Sequence, residues 1–169
     1  MHNANNPPAS PTIREATDRD IDVVWAFVRK KAAFDDWLDK LQATKHSLAD
    51  ALRADPPHMG VLLAELDGEP VGFASYFFTF STYLARRCVW LDDLYVDESA
   101  RRRGVATALL RGLAALSLKQ GCPRIEWVTA AGNAKAIGFY ERMGADVRHT
   151  LRICRLDAPA IANLAQAPT

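Results

Sequence analysis

The sequence predicts an α/β protein of the mixed kind, a central and mostly antiparallel sheet flanked by helices. Three observations carry this. The middle of the chain, Val61 to Val96, is rich in β-formers punctuated by turn chemistry. Two strongly periodic helices follow it late in the chain. Strands and helices alternate without the even βαβ rhythm of an all-parallel sheet.

Taken in order, Thr12 to Ala16 reads as a short strand, followed by Thr17 or Asp18 as a helix N-cap. The helix beyond it carries Ile21, Val24, Trp25 and Val28 at helical spacing and runs to about Lys31. A second helix spans about Lys45 to Ala54 and is stopped by Pro56-Pro57. Val61 to Leu66 is a strand, Asp67-Gly68-Glu69-Pro70 supplies the turn, and Val71 to Phe80 is its partner. Arg87 to Val96 is a further strand with Asp92-Asp93 set in its apolar middle. The helix from about Gly104 to Gln120 buries Val105, Leu109, Leu113 and Leu116, and Gly121 stops it. Arg124 to Ala130 is the next strand, and Asn133 caps a helix to Met143, with Gly144 just beyond. Ala145 to Leu156 is expected to close the sheet, and Ala160 to Gln166 forms a last short helix.

The chain has 169 residues, 49% hydrophobic and 24% charged, enough for one domain with a proper core, read here as residues 12–169. A net charge of +1 gives no bulk electrostatic hold on nucleic acid or an acidic membrane. The longest uncharged run, Val71 to Ala85, falls short of the roughly 20 apolar residues of a membrane-spanning helix. Met1 to Pro11 is polar and Pro-rich without an apolar stretch, and reads as a disordered leader rather than a signal peptide. Cys88, Cys122 and Cys154 are odd in number and unpaired in spacing, as expected of reduced thiols in the cytoplasm. The four histidines make no metal-ligand spacing, and no metal is expected.

The segment Asp97-Glu98-Ser99-Ala100-Arg101-Arg102-Arg103-Gly104-Val105-Ala106-Thr107 ends a strand, turns through three guanidiniums and opens a helix on small residues. Free N–H groups at a helix start, the helix dipole and flanking arginines favour a phosphate. The competing view is a solvated basic turn before an ordinary amphipathic helix. Neither GxxxxGK[ST] nor GxGxxG occurs.

Arg101-x-x-Gly104-x-Ala106 resembles the acetyl-CoA signature of the GNAT superfamily of N-acetyltransferases, written [QR]-x-x-G-x-[GA]. The context extends the resemblance over about Thr12 to Leu156. A strand precedes the motif, a long helix and a strand follow, and then come Asn133-x6-Tyr140 and the Gly138-Phe139-Tyr140-Glu141-Arg142-Met143-Gly144-Ala145 ending. Ser75-Tyr76-Phe77-Phe78-Thr79-Phe80 and Trp90-Leu91-Asp92-Asp93-Leu94-Tyr95-Val96 are similar to the substrate strand and the "LEDxxV" strand of the diamine acetyltransferase branch.

That resemblance implies a splayed pair of parallel strands, ending at Val96 and covering Arg124 to Ala130, between which the pantetheine of acetyl-CoA, the co-substrate, inserts. Main-chain groups of Leu94, Tyr95 and Val96 would align the thioester, one N–H polarising its carbonyl. Arg101, Arg102, Arg103, Gly104, Val105, Ala106 and Thr107 would hold the diphosphate, and Asn133 the cofactor arm. Tyr140 matches the family tyrosine that acts as acid toward the leaving thiolate; the alternative is a buried aromatic on an amphipathic helix. Asp92 stands where the branch carries a glutamate proposed as base, one methylene shorter here, so a bridging water is expected. Asp93 matches a carboxylate that holds the substrate cation. Neighbours on a strand face opposite ways, so the two enter one pocket only across a bulge; otherwise they are strand-edge charges in water.

Asp35 and Tyr76, with Asp36, Phe34 and Trp37, could complete a site for a cationic amine. Ser81 and Pro159 stand where polyamine enzymes carry acids, which brings a shorter lysine-like amino acid level with a polyamine as acceptor. The expected activity is acetyl transfer to a primary amine of a small molecule. The alternatives are acetylation of a protein or peptide, and a non-catalytic CoA-binding module. The family's habit of dimerising, with the aromatic run near Tyr76 to Tyr83, implies a homodimer.

Overall fold

The computed structural model describes residues 10–166, so the expected leader lies outside the described residues except for Ser10 and Pro11. The chain divides into two compact units, one ending at Val128 and one beginning at Thr129. The first contains β1 (Thr12–Glu15), α1 (Ile21–Phe34), α2 (Lys45–Arg53), β2 (Gly60–Leu66), β3 (Glu69–Ser81), β4 (Arg86–Val96), α3 (Val105–Lys119) and β5 (Ile125–Glu126). The second contains α4 (Ala134–Arg142) and α5 (Ala158–Gln166). The strands order as β1-β2-β3-β4-β5, antiparallel at the first three junctions and parallel between β4 and β5. This is the mixed, mostly antiparallel sheet that the sequence predicts.

Local chemistry explains the joints. Asp67 and Gly68 both have positive φ, 54° and 82°, as a two-residue hairpin turn requires. The turn is therefore tighter than the four-residue Asp67–Pro70 expected, and Glu69 and Pro70 join β3. Thr17 caps the turn of 3-10 helix that leads into α1: its hydroxyl accepts from the Arg19 N–H, and the Asp20 carboxylate accepts from the Thr17 N–H at 2.8 Å. Thr44 and Ser47 make the same reciprocal cap on α2.

The sheet is covered on both faces. Against one, α3 packs Val105, Leu109, Leu113 and Leu116 onto Leu62, Ala64, Ala74, Tyr76, Val89 and Leu91. Against the other, Val24 and Phe27 of α1 pack onto Val61, Leu63 and Phe73, with the Phe27 and Phe73 rings stacked at 5.6 Å. Each buried valine, leucine or phenylalanine among these contributes about 1.5–3 kcal/mol. The inward face of α1 is thus Ile21, Val24 and Phe27, while Trp25 is only half-buried, and the helix runs one turn longer than predicted, to Phe34.

Two expected strands differ. β5 is only Ile125–Glu126 rather than Arg124 to Ala130. Ala145 to Leu156 contains no strand among the described residues. Its alternation is real, but Leu151 and Ile153 are 68% and 66% exposed, and no neighbouring strand supplies the hydrogen-bonded ladder that a strand needs.

Candidate active site

The site grows from the two halves of β4. Its first half is laddered to β3 on one side and to β5 on the other, through Val89↔Ile125 and Trp90↔Glu126. Beyond Trp90 the parallel ladder stops, and Leu91 to Val96 are laddered only to β3 among the described residues. The parallel pairing thus ends where the resemblance implies that two strands part, but β5 itself goes no further than Glu126.

Just past the end of that ladder the register with β3 breaks. Ser75 opposes Asp93 and Tyr76 opposes Leu91, so Asp92 is an extra residue, a β-bulge. Leu91 and Leu94 both pack on the α3 face, three positions apart, which places Asp92 and Asp93 together off that face. The bulge that two adjacent acids require is present. The Asp93 N–H, displaced from the backbone ladder, donates to the Ser75 hydroxyl at 3.1 Å.

Asp92 is exposed and Asp93 half-buried. Burial raises the Asp93 carboxyl above its usual range, and the negative Asp92 and Asp35 add to this, while the Lys31 ammonium opposes it. Lys31, on α1, lies 3.5 Å from Asp93 and pairs with Asp35 one helical turn on. Asp35 and Asp93, distant in sequence, are therefore brought to one cation. Phe34, next to Asp35 in the chain, sets its ring edge-on to that of Tyr95 with the centroids 6.3 Å apart.

At the far end of β4, Lys30 clamps both carboxylate oxygens of Asp97 at 2.8 Å. Leu94 and Val96 pack toward α3, and Tyr95 toward Phe27. The chain then passes through Arg101, whose Nε donates to the Val96 carbonyl at 3.3 Å and whose guanidinium lies 5.0 Å from the Phe34 ring. Arg102 and Gly104 both take positive φ, 62° and 79°, in the turn just ahead of the helix. Arg101, Arg102, Arg103 and Gly104 are exposed, Val105 is buried, and Ala106 and Thr107 are half-buried. The Ala108 N–H closes the first helical turn onto Gly104, leaving the N–H groups of Val105, Ala106 and Thr107 ahead of that turn. A side chain at Gly104 would meet nothing within 4 Å, so its backbone is open to a bulky anion. The donor set suits a diphosphate.

In the second unit, Asn133 caps α4, its side-chain oxygen accepting from the Ala136 N–H at 3.1 Å. Tyr140 is buried, with its ring 5.4 Å from that of Phe139. Burial pushes its phenol above the usual range, which keeps the proton on it at neutral pH.

Tyr76 is not brought to the acids. It lies on the α3 face, edge-on to Phe78, and its ring covers Gly60, where an added Cβ would come within 2.3 Å of it. Burial and the nearby Glu15 push its phenol up to about 12. The β3 residue that faces Asp93 is Ser75. Sequence reasoning also missed Lys31, whose signal was a basic residue four before Asp35 on a helix. It missed Gly72 as well, where a Cβ would lie 2.7 Å from the Tyr95 carbonyl and 3.3 Å from Val105. A glycine inside an otherwise β-rich strand was that signal.

Residues 22–145 match the acetyltransferase (GNAT) family. A thialysine N-epsilon-acetyltransferase of Mus musculus is 32% identical over 149 residues, covering 81% of this chain and 85% of that protein. An L-ornithine N5-acetyltransferase of Arabidopsis thaliana is 37% identical over 90 residues, 53% of this chain and 40% of that one. Among solved structures, an aminoglycoside N-acetyltransferase in complex with CoA superposes with a TM-score of 0.68 at 19% identity, over 89% of this chain and 97% of that one. That last likeness is one of fold.

Proposed function

This chain belongs to the acetyltransferase (GNAT) family, in its diamine acetyltransferase-like branch, and from that premise we propose that it moves acetyl from acetyl-CoA directly onto a primary amine of a small cationic molecule, a polyamine or a lysine-like amino acid. One observation carries the proposal. The half of β4 that is laddered on one side only has paired carboxylates at its start and a diphosphate-suited helix opening just past its end.

Acetyl-CoA supplies the activated thioester. Arg101, Arg102, Arg103 and the amides from Gly104 to Thr107 hold the diphosphate, each amide bond to a charged oxygen contributing about 1.5–3 kcal/mol. Main-chain groups of Leu94, Tyr95 and Val96 orient the acetyl carbonyl. Asp93 holds the substrate's cationic end. Asp92, exposed to solvent, takes the proton of the attacking ammonium through water, a step worth about 1.36 kcal/mol per pKa unit between the amine and the medium. The new C–N bond forms as the C–S bond breaks, and Tyr140 gives its proton to the departing thiolate. Support for that last role is the family match of Tyr140 and a phenol that stays protonated through neutral pH.

A CoA-release assay with thialysine, ornithine and spermidine tests this. Wild type should turn over at least one of them, and Tyr140→Phe should lose roughly 10²–10⁴ in kcat with the KM for acetyl-CoA little changed. Silence of the wild type across the three, with turnover on peptides, would move the activity to the peptide reading. The homodimer is likewise proposed, on the exposed Phe80 and Tyr83 at the tip of the β3–β4 hairpin; sedimentation velocity decides it.

A further inference from the structure

We infer that Lys31 is a specificity-determining residue: set between Asp35 and Asp93, it presents one ammonium beside two carboxylates to the zwitterionic head of a basic α-amino acid. The inference rests on the acceptor site proposed above and deepens it.

Two adjacent lysines of α1 reach two carboxylates, Asp93 within β4 and Asp97 just past its end, and they do so differently. Lys30 spends its contact on both oxygens of one carboxylate, Asp97. That pair is closed. Lys31 is shared between Asp35 on its own helix and Asp93 across on the sheet, and its side chain is only 20% exposed. An ammonium has three donors and a carboxylate about four acceptor positions. With one donor given to Asp35 and Asp93 held as an ion pair at 3.5 Å, Lys31 keeps a third donor for an incoming anion, and both acids keep capacity for a second cation. The complementary ligand carries an ammonium and a carboxylate on one carbon. A polyamine brings cations alone, leaves the third donor unmet, and meets like charge at Lys31. Phe34, next to Asp35 in the chain, and Tyr95, edge to face with it, offer apolar surface to the methylene chain between head and reacting amine.

Ornithine and putrescine differ only in the α-carboxylate, so the pair isolates this contact. Binding of each to the full chain is measured by calorimetry, which needs no turnover. Wild type should prefer ornithine. Lys31→Gln should weaken ornithine on the order of tenfold and tighten putrescine, as expected for one partly exposed charge contact. Lys31→Arg should keep the wild-type preference, and Lys30→Gln, the structural control, should not move the ratio. An ornithine-to-putrescine ratio unchanged in a folded Lys31→Gln overturns the inference, as does no measurable binding of either probe by the wild type. If the ratio shifts as expected while no amine is acetylated, the inference stands and the proposed activity fails.

Discussion

At the N-terminal end of α1, Asp20 accepts two guanidinium N–H bonds from Arg14 at 2.7 and 2.8 Å and one from the Thr17 amide, and Arg14 reaches on to Glu65 at 2.7 Å. At the C-terminal end, Asp93 and Asp35 divide one lysine between them. Each end sets two acids on one cation, an arginine at the first and a lysine at the second, and the saturation differs. Arg14 holds the Asp20 carboxyl well below the usual range, whereas burial lifts that of Asp93. Both carboxylate oxygens of Asp20 are bonded inside the fold. The second end keeps unspent capacity, which is what a ligand site needs and a structural joint does not.

The largest effect should come from breaking the saturated end. Arg14→Ala leaves Asp20 and Glu65 without their partner and should cost about 2–3 kcal/mol in urea unfolding. Asp20→Asn should cost about 1–2 kcal/mol at neutral pH. Because the folded value of Asp20 lies below the unfolded one, its contribution is present above about pH 4 and is lost as pH falls further. The wild type should therefore lose stability on acidification more steeply than Asp20→Asn. Lys30→Gln removes a partly exposed pair and should lower stability by less than about 1 kcal/mol.

Smallest is Asp93→Asn, and its sign is opposite. A carboxyl whose folded value is raised is most favourable to the fold below about pH 4 and loses that contribution as pH rises through the folded value. At pH 7 the variant should be at least as stable as wild type, within about 0.5 kcal/mol, while the KM for the amine rises. A marked loss of stability there would make the two ends of α1 alike and erase the contrast.

Much of the scaffold could be read from the chain because its signals are local. Thr17 with Asp20, Asp67-Gly68, and the Val105–Leu109–Leu113–Leu116 stripe each specify their structure within a few residues. The strand–turn–helix setting of Arg101 to Thr107 was legible for the same reason. What escaped depends on partners. Leu151 and Ile153 alternate as a strand would, yet a strand exists only beside another. Asp92-Asp93 showed that a bulge was needed but not where it falls, since that depends on the register with Ser75 and Tyr76. Tyr76 looked like a site residue because of its neighbours in sequence, and only the pleat shows that it turns to the α3 face while Ser75 turns to the acids.

Asp92 also stands outside the alternation of the strand that carries it. Excising that single residue would leave Leu91 opposite Tyr76 and Asp93 opposite Ser75 in an unbroken ladder, with Leu94 and Val96 still in the aliphatic layer and Asp93 and Tyr95 still off it. One codon thus adds an acid to the rim of the sheet without asking the interior to repack.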